Sequence, residues 1–193
     1  MKTILKREEN EIIINNSRFI CYFIPLQNPS IEEELREIEN LHPKATHHCY
    51  AYIYDNIEHA NDDNEPSNTA GQPILNVLKK EELNHVLAVV VRYFGGIKLG
   101  AGGLIRAYTK ATTECLKKEE IVEMEKGYLI EINFPYEEEK NILYHLQNSS
   151  IKEKTYQETI SYKVEVNETT LNKLQKYNPT IISEIYIKIN PSQ

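Results

Sequence analysis

Val91-Arg-Tyr-Phe-Gly-Gly-Ile-Lys-Leu-Gly-Ala-Gly-Gly-Leu-Ile-Arg-Ala-Tyr108 gathers five of the chain's seven glycines: Gly95, Gly96, Gly100, Gly102 and Gly103. On one side runs the near-continuous apolar stretch Val86 to Phe94, the pattern of a strand buried on both faces. On the other, residues from about Gly103 to Lys118 read as a helix. Glycine permits positive φ and close approach of a second backbone or a ligand. A strand, a glycine loop and a helix N-terminus together aim several N–H groups at one place, which suits an anion.

The spacing fits no nucleotide motif. The G-x-x-x-x-G-K-[ST] pattern fails because Gly100 is followed by Ala101 and Gly102. The dinucleotide fingerprint fails at Ile105, where a small residue belongs. Two readings stay level: a phosphate cradle, and a packing loop that lets helix and strand cross closely. Charge bears on the choice. Arg92, Lys98, Arg106, Lys110, Lys117 and Lys118 face Glu114 alone, a local charge of +5 in a chain of −7. Two of the five arginines lie here, flanked by Tyr93, Phe94 and Tyr108. Guanidinium groups bind phosphate bidentately, and aromatic rings stack on bases. The alternative is that Arg92 and Arg106 pair with Asp62, Asp63 or Glu65 inside the fold. The expected RNA- or phosphate-binding set is Arg92, Tyr93, Gly95, Gly96, Lys98, Gly100, Gly102, Gly103, Arg106 and Lys110.

Upstream, short strands are expected at 3–6, 11–14 and 18–25. Ser30 with Glu33 reads as a capping box ahead of a helix with Ile31, Leu35 and Ile38 on one face. A strand near 47–54 sets Cys49, Ala51 and Ile53 against an exposed row of Tyr50, Tyr52 and Tyr54, a possible interface. Residues 55–70 read as a long polar loop and 72–80 as a helix with Pro73 near its start. Within that loop, Asn61-Asp-Asp-Asn-Glu-Pro-Ser-Asn-Thr-Ala-Gly-Gln-Pro73, taken with His47 and His48, offers raw material for a metal site. The cluster His47, Asp62, Asp63 and Glu65 matches no metal spacing, however, and acids in such a loop are commonly turn formers. Asn64 and Asn68 suit αL positions. His85 reads as structural.

Downstream, Tyr128, Ile130, Ile132 and Phe134 alternate with polar neighbours as in a half-buried strand. Pro135 opens a helix with Glu137, Glu138 and Glu139 in its first turn and Ile142, Leu143 and Leu146 inside. Strands at about 151–157 and 159–166, a short helix with Leu171 and Leu174, and a strand carrying Ile185, Ile187 and Ile189 complete β-α-β-β-α-β, the ferredoxin-like order. Gly127 is the natural joint, so domains are expected at 1–126 and 127–193, in an α+β protein.

Composition narrows the function. At 193 residues with 40% hydrophobic and 26% charged residues, the chain has the balance of a soluble globular protein. Its longest aliphatic run, Val86 to Val91, falls far short of the ~20 residues that span a bilayer. The N-terminus lacks the apolar core of a secretory signal, so neither membrane nor export is expected. Cys21, Cys49 and Cys115 are widely spaced and form no C-x-x-C pair, which suits a reducing cytoplasm. Net charge −7 argues against coating nucleic acid with the whole surface.

His47, Asp63-Asn-Glu-Pro-Ser-Asn-Thr-Ala-Gly71 and above all Arg92 to Tyr108 resemble the IMPACT family, in its bacterial YigZ branch. The resemblance covers about residues 1–120. Asn64 and Asn68 depart from it, standing where the family pattern D-G-E-P-x-G-T-A-G has glycine. It implies an N-terminal domain similar to the second domain of a small-subunit ribosomal protein and to domain IV of elongation factor G. The appended ferredoxin-like domain is similar to domain V of that factor. Eukaryotic IMPACT restrains a translation-control kinase by competing for its activator. The resemblance supplies no catalytic residue and no cofactor, and none is expected. The resulting expectation is a cytoplasmic, non-catalytic, translation-linked protein that contacts RNA or the ribosome. A module that binds a regulatory protein of translation or stress response, and a metal-dependent hydrolase, are the alternatives.

Overall fold

A computed structural model describes residues 1–189, and the chain divides into two compact units, Met1–Val122 and Glu123–Gln193. The first contains β1 (Lys2–Ile4), β2 (Glu8–Ile14), β3 (Ser17–Pro25), α1 (Glu32–Leu41), β4 (His47–Tyr54), β5 (Ile57–Asn61), α2 (Gly71–Lys80), β6 (Val86–Tyr93) and α3 (Gly100–Leu116). Its main sheet runs β2-β3-β6-β4-β5 with every neighbour antiparallel. The central strand β6 explains its own sequence. Val86, Ala88 and Val90 face the core shared with α2 and α3, whereas Leu87, Val89 and Val91 pack with Ile31 and Ile38 on the α1 side. A strand covered on both faces has no solvent side to alternate towards.

Several local expectations change once the second layer is in place. Tyr50, Tyr52 and Tyr54 form no exposed row; they pack against the α1-side core, and Tyr54 donates a hydrogen bond to the Gln27 carbonyl at 3.0 Å. Part of the expected 55–70 loop is a strand, β5, paired with β4 from Tyr50↔Asn61 to Tyr54↔Ile57. As a largely exposed edge strand it has no buried face to impose an apolar alternation. The Ser30–Glu33 capping box is absent. Instead Glu32 accepts hydrogen bonds from the Ser30 hydroxyl at 2.6 Å and the Ile31 N–H at 3.1 Å. Helix α3 starts at Gly100 rather than Gly103.

The second unit takes up β7 (Ile121–Phe134), which crosses the division, then α4 (Glu139–His145), β8 (Ser150–Tyr156), β9 (Ile160–Asn167), α5 (Glu168–Leu174) and β10 (Thr180–Lys188). Strand order β10-β7-β9-β8, antiparallel throughout, is that of a ferredoxin-like sheet. Ile130, Ile132, Phe134, Ile160, Tyr162, Val164 and Val166 line one face and bury Ile142, Leu146, Leu171 and Leu174 from the helices. Leu143 turns away from that core and is exposed. Pro135 leads into a short 3-10 turn, Tyr136–Glu138, before α4 begins. The Asn167 side chain caps α5 by accepting the Thr170 N–H at 2.9 Å. Gly127 lies inside β7, where an added Cβ would come within 2.9 Å of the Val166 carbonyl oxygen, so it serves strand packing. Of the segment expected to form this domain, residues 190–193 fall outside the described residues.

Candidate nucleic-acid interface

Strand β6 delivers Arg92 to the edge of the core, and the loop that follows returns the chain to α3. At Gly95 a Cβ would lie 2.1 Å from the Asn16 carbonyl, so only glycine fits. The contact is made by the tip of the β2–β3 hairpin, where Asn15 and Asn16 hold φ of 47° and 63°, as a two-residue turn requires. Gly96 and Gly100 also have positive φ, 86° and 67°, but a Cβ at either would meet nothing within 4 Å. Gly95 therefore fits the packing reading of the loop, whereas Gly96 and Gly100 shape open backbone. Among the described residues no side chain caps the first turn of α3.

The structure corrects the expectation for Arg92. It is only 5% exposed, and its Nη1 donates to Glu65 Oε1 at 2.6 Å. The guanidinium lies 5.5 Å from each of the Phe19 and Phe94 ring centroids, and Nη2 reaches the Ser17 hydroxyl at 3.5 Å. A buried, paired guanidinium is not a surface phosphate ligand. It ties the acidic loop to the glycine loop. Tyr108 completes the tie, donating to the same Glu65 oxygen at 2.7 Å. Burial pushes the Tyr108 phenol well above its ordinary range, and it does the same to the Cys49 thiol, 3.4 Å away. Both groups favour their neutral, protonated forms.

Tyr93 is engaged as well. Its hydroxyl meets His42 Nδ1 at 2.9 Å, and His42 Nε2 meets the Tyr22 hydroxyl at 2.7 Å. Burial lowers the His42 pKa, favouring a neutral ring that donates through one nitrogen and accepts through the other. The remaining aromatic of the segment, Phe94, is 46% exposed, with its N–H held by Thr46 Oγ1 at 3.0 Å. Among the cations, Lys117 pairs with Glu114 and Lys118 donates to the Glu9 carbonyl. Lys98, Arg106 and Lys110 are exposed and form no ion pair among the described residues. Arg106 and Lys110 lie one turn apart on α3.

The acidic segment does not assemble the metal cluster offered by its residue types. Asp62 accepts N–H groups of Asn68 at 2.7 Å, Ala70 at 3.0 Å and Gly71 at 2.8 Å, closing the loop onto the start of α2. Asp63 accepts the His48 N–H at 2.6 Å, and its carbonyl accepts His47 Nδ1–H at 2.7 Å. Glu65 holds Arg92 and Tyr108, and the nearest approach of His47 Nε2 to it is 3.7 Å. Among the described residues no group of three or more His, Cys, Asp or Glu is placed to hold a metal ion. His47, Asp62, Asp63 and Glu65 instead bind backbone or buried partners of the fold. Asn64 and Asn68 hold φ of 66° and 61°, the αL conformation that both residues suit. Ser17 and Thr46 give no signal in the sequence, because lone hydroxyls carry no spacing pattern.

Residues 15–116 match the family model described as the Impact N-terminal domain. IMPACT family member YvyE of Bacillus subtilis is 42% identical over 184 residues, covering 91% of this chain and 83% of that protein. IMPACT family member YigZ of Escherichia coli is 36% identical over 113 residues, covering 54% of each chain. A crystal structure described only as that of a hypothetical protein superposes with TM-score 0.67 and 24% identity, covering 99% of this chain and 98% of that one. That likeness extends the shared fold through both units. Among the described residues no helix is long and apolar enough to cross a membrane.

Proposed function

We infer function from one premise: the chain belongs to the IMPACT family. Our reading is a non-catalytic, translation-linked binding protein of the cytoplasm that touches RNA or the ribosome through the outer side of the glycine loop and α3. Its contact cations are Lys98, Arg106 and Lys110. The observation that carries the reading is their freedom: three exposed cations within thirteen residues form no ion pair among the described residues, in a chain of net charge −7. Arg92 takes a positioning role beneath this surface.

The test is co-sedimentation with ribosomes from a bacterial extract at low and moderate salt. Wild type is compared with the Lys98→Ala/Arg106→Ala/Lys110→Ala variant. Each neutralised phosphate releases counterions, so three contacts to single strands predict a log–log salt slope near −2 (about 0.7 per contact). Loss of binding in the triple variant supports the reading; equal binding by both proteins removes this surface from it. Exposed Ile97 and Ile105 on the same segment favour a second reading, a surface for a regulatory protein. That reading predicts an association insensitive to nuclease and weakly dependent on salt.

A further inference from the structure

We propose that this surface takes an unpaired base of single-stranded RNA on the outer face of Phe94, a step that rests on the RNA reading above. The segment offers three aromatic rings, and the fold disposes of two. Tyr108 is fully buried and bonded to Glu65, and Tyr93 is bonded to His42 while the Arg18 guanidinium lies 5.1 Å from its ring centroid. Phe94 alone of the three is substantially exposed, and it is firmly seated. Its N–H is fixed by Thr46, and the buried Arg92 guanidinium lies 5.5 Å from its ring, itself held by Glu65.

The charge under the ring sets what the other face prefers. An aromatic face is electron-rich and ordinarily attracts cations. Arg92 already draws on that density from within, and the exposed Lys98, four residues beyond Phe94 along the same loop, adds to the positive charge of the segment. A basic side chain is therefore disfavoured there, while a neutral, flat base carrying its own phosphate is favoured. Stacking needs an exposed base face. A-form duplexes bury their base faces and present phosphates and 2′-hydroxyls, whereas loops and single strands splay bases out. An acidic peptide would satisfy the cations but gain nothing from the ring.

The experiment measures fluorescence anisotropy of the full chain with three labelled probes: a 12-nucleotide oligouridine, a duplex RNA of equal length, and an oligoglutamate peptide. Wild type, Phe94→Ala, Phe94→Leu and Arg106→Ala/Lys110→Ala are compared, with circular dichroism confirming folding. Wild type should prefer the single strand. Phe94→Ala and Phe94→Leu should each lose roughly tenfold of that affinity and leave duplex binding unchanged. The charge variant should weaken every RNA probe. If the charge variant weakens RNA binding but neither Phe94 variant changes it, the stacking proposal is overturned and the RNA reading stands. If no variant alters RNA binding, or oligoglutamate binds best, both fall.

Discussion

Two loops of the first unit are linked through one ion pair, Glu65 with Arg92 at the end of β6, and are built in opposite ways. Residues 61–71 are closed: Asp62 alone accepts three backbone N–H groups, Asp63 accepts another, and Gly71 is pressed so near Asn61 that a Cβ would lie 2.6 Å from its nitrogen. Residues 95–103 are anchored at Gly95 and then open, with two positive-φ glycines facing free space and one exposed cation, Lys98, that forms no ion pair among the described residues. Acidic loops and glycine-rich loops both look like ligand sites in a sequence. The difference lies in whether their polar groups already have partners. A carboxylate that satisfies backbone donors is structure; a cation without a counter-ion is available to something else.

The strongest way to break this contrast is at the joint. Removing one partner of a buried ion pair strands the other, so Arg92→Ala and Glu65→Ala should each destabilise by about 3–5 kcal/mol in denaturant unfolding. A Glu65→Gln/Arg92→Met double variant should lose clearly less than either alone. Equal losses in all three would show that packing, not stranded charge, dominates there.

Within the closed loop, Asp62→Ala should cost about 2 kcal/mol by leaving up to three N–H groups unsatisfied, and Asp62→Asn less. Hydrogen exchange should locate the loss at Asn68, Ala70 and Gly71. Protection unchanged at those amides would mean that water replaces the carboxylate without cost.

A third carboxylate sharpens the rule by contrast. Both oxygens of Glu119 are buried without a hydrogen-bond partner among the described residues, and desolvation, aided by Glu8, raises its pKa to about 7. The folded state thus holds this proton more tightly than the unfolded chain. Its contribution to stability is fully present below the unfolded pKa and is lost as pH rises through about 7. Glu119→Gln should raise stability at pH 8 by about 1 kcal/mol, discounted for partial exposure, and change it little near pH 4. A pH-independent effect in thermal melts would contradict this assignment.

Much of the fold was legible because burial had one-sided consequences. In the second unit, period-two alternation from Tyr128 to Phe134 and from Ile160 to Val166 announced one covered face, and that face is the core. In the first unit, the unbroken apolar run of β6 announced two covered faces. Strand β5 was invisible because an exposed edge imposes no pattern. The tyrosines of β4 read as exposed in the sequence because alternation reports two faces without saying what covers the second. At the site, the loop backbone was partly legible: Asn64 and Asn68 occupy the αL positions their chemistry suits.

Sequence alone therefore determined the order of the elements other than β5, the αL positions at Asn64 and Asn68 and the concentration of positive charge between Arg92 and Lys118, since each is a local property of neighbouring residues. Tertiary structure decided which of those charges are free. Arg92 and Arg106 are alike as residues, yet one meets Glu65, 27 positions away, inside the core and the other meets solvent. That choice depends on strand register and on the close approach of the hairpin at Gly95, neither of which any local pattern encodes.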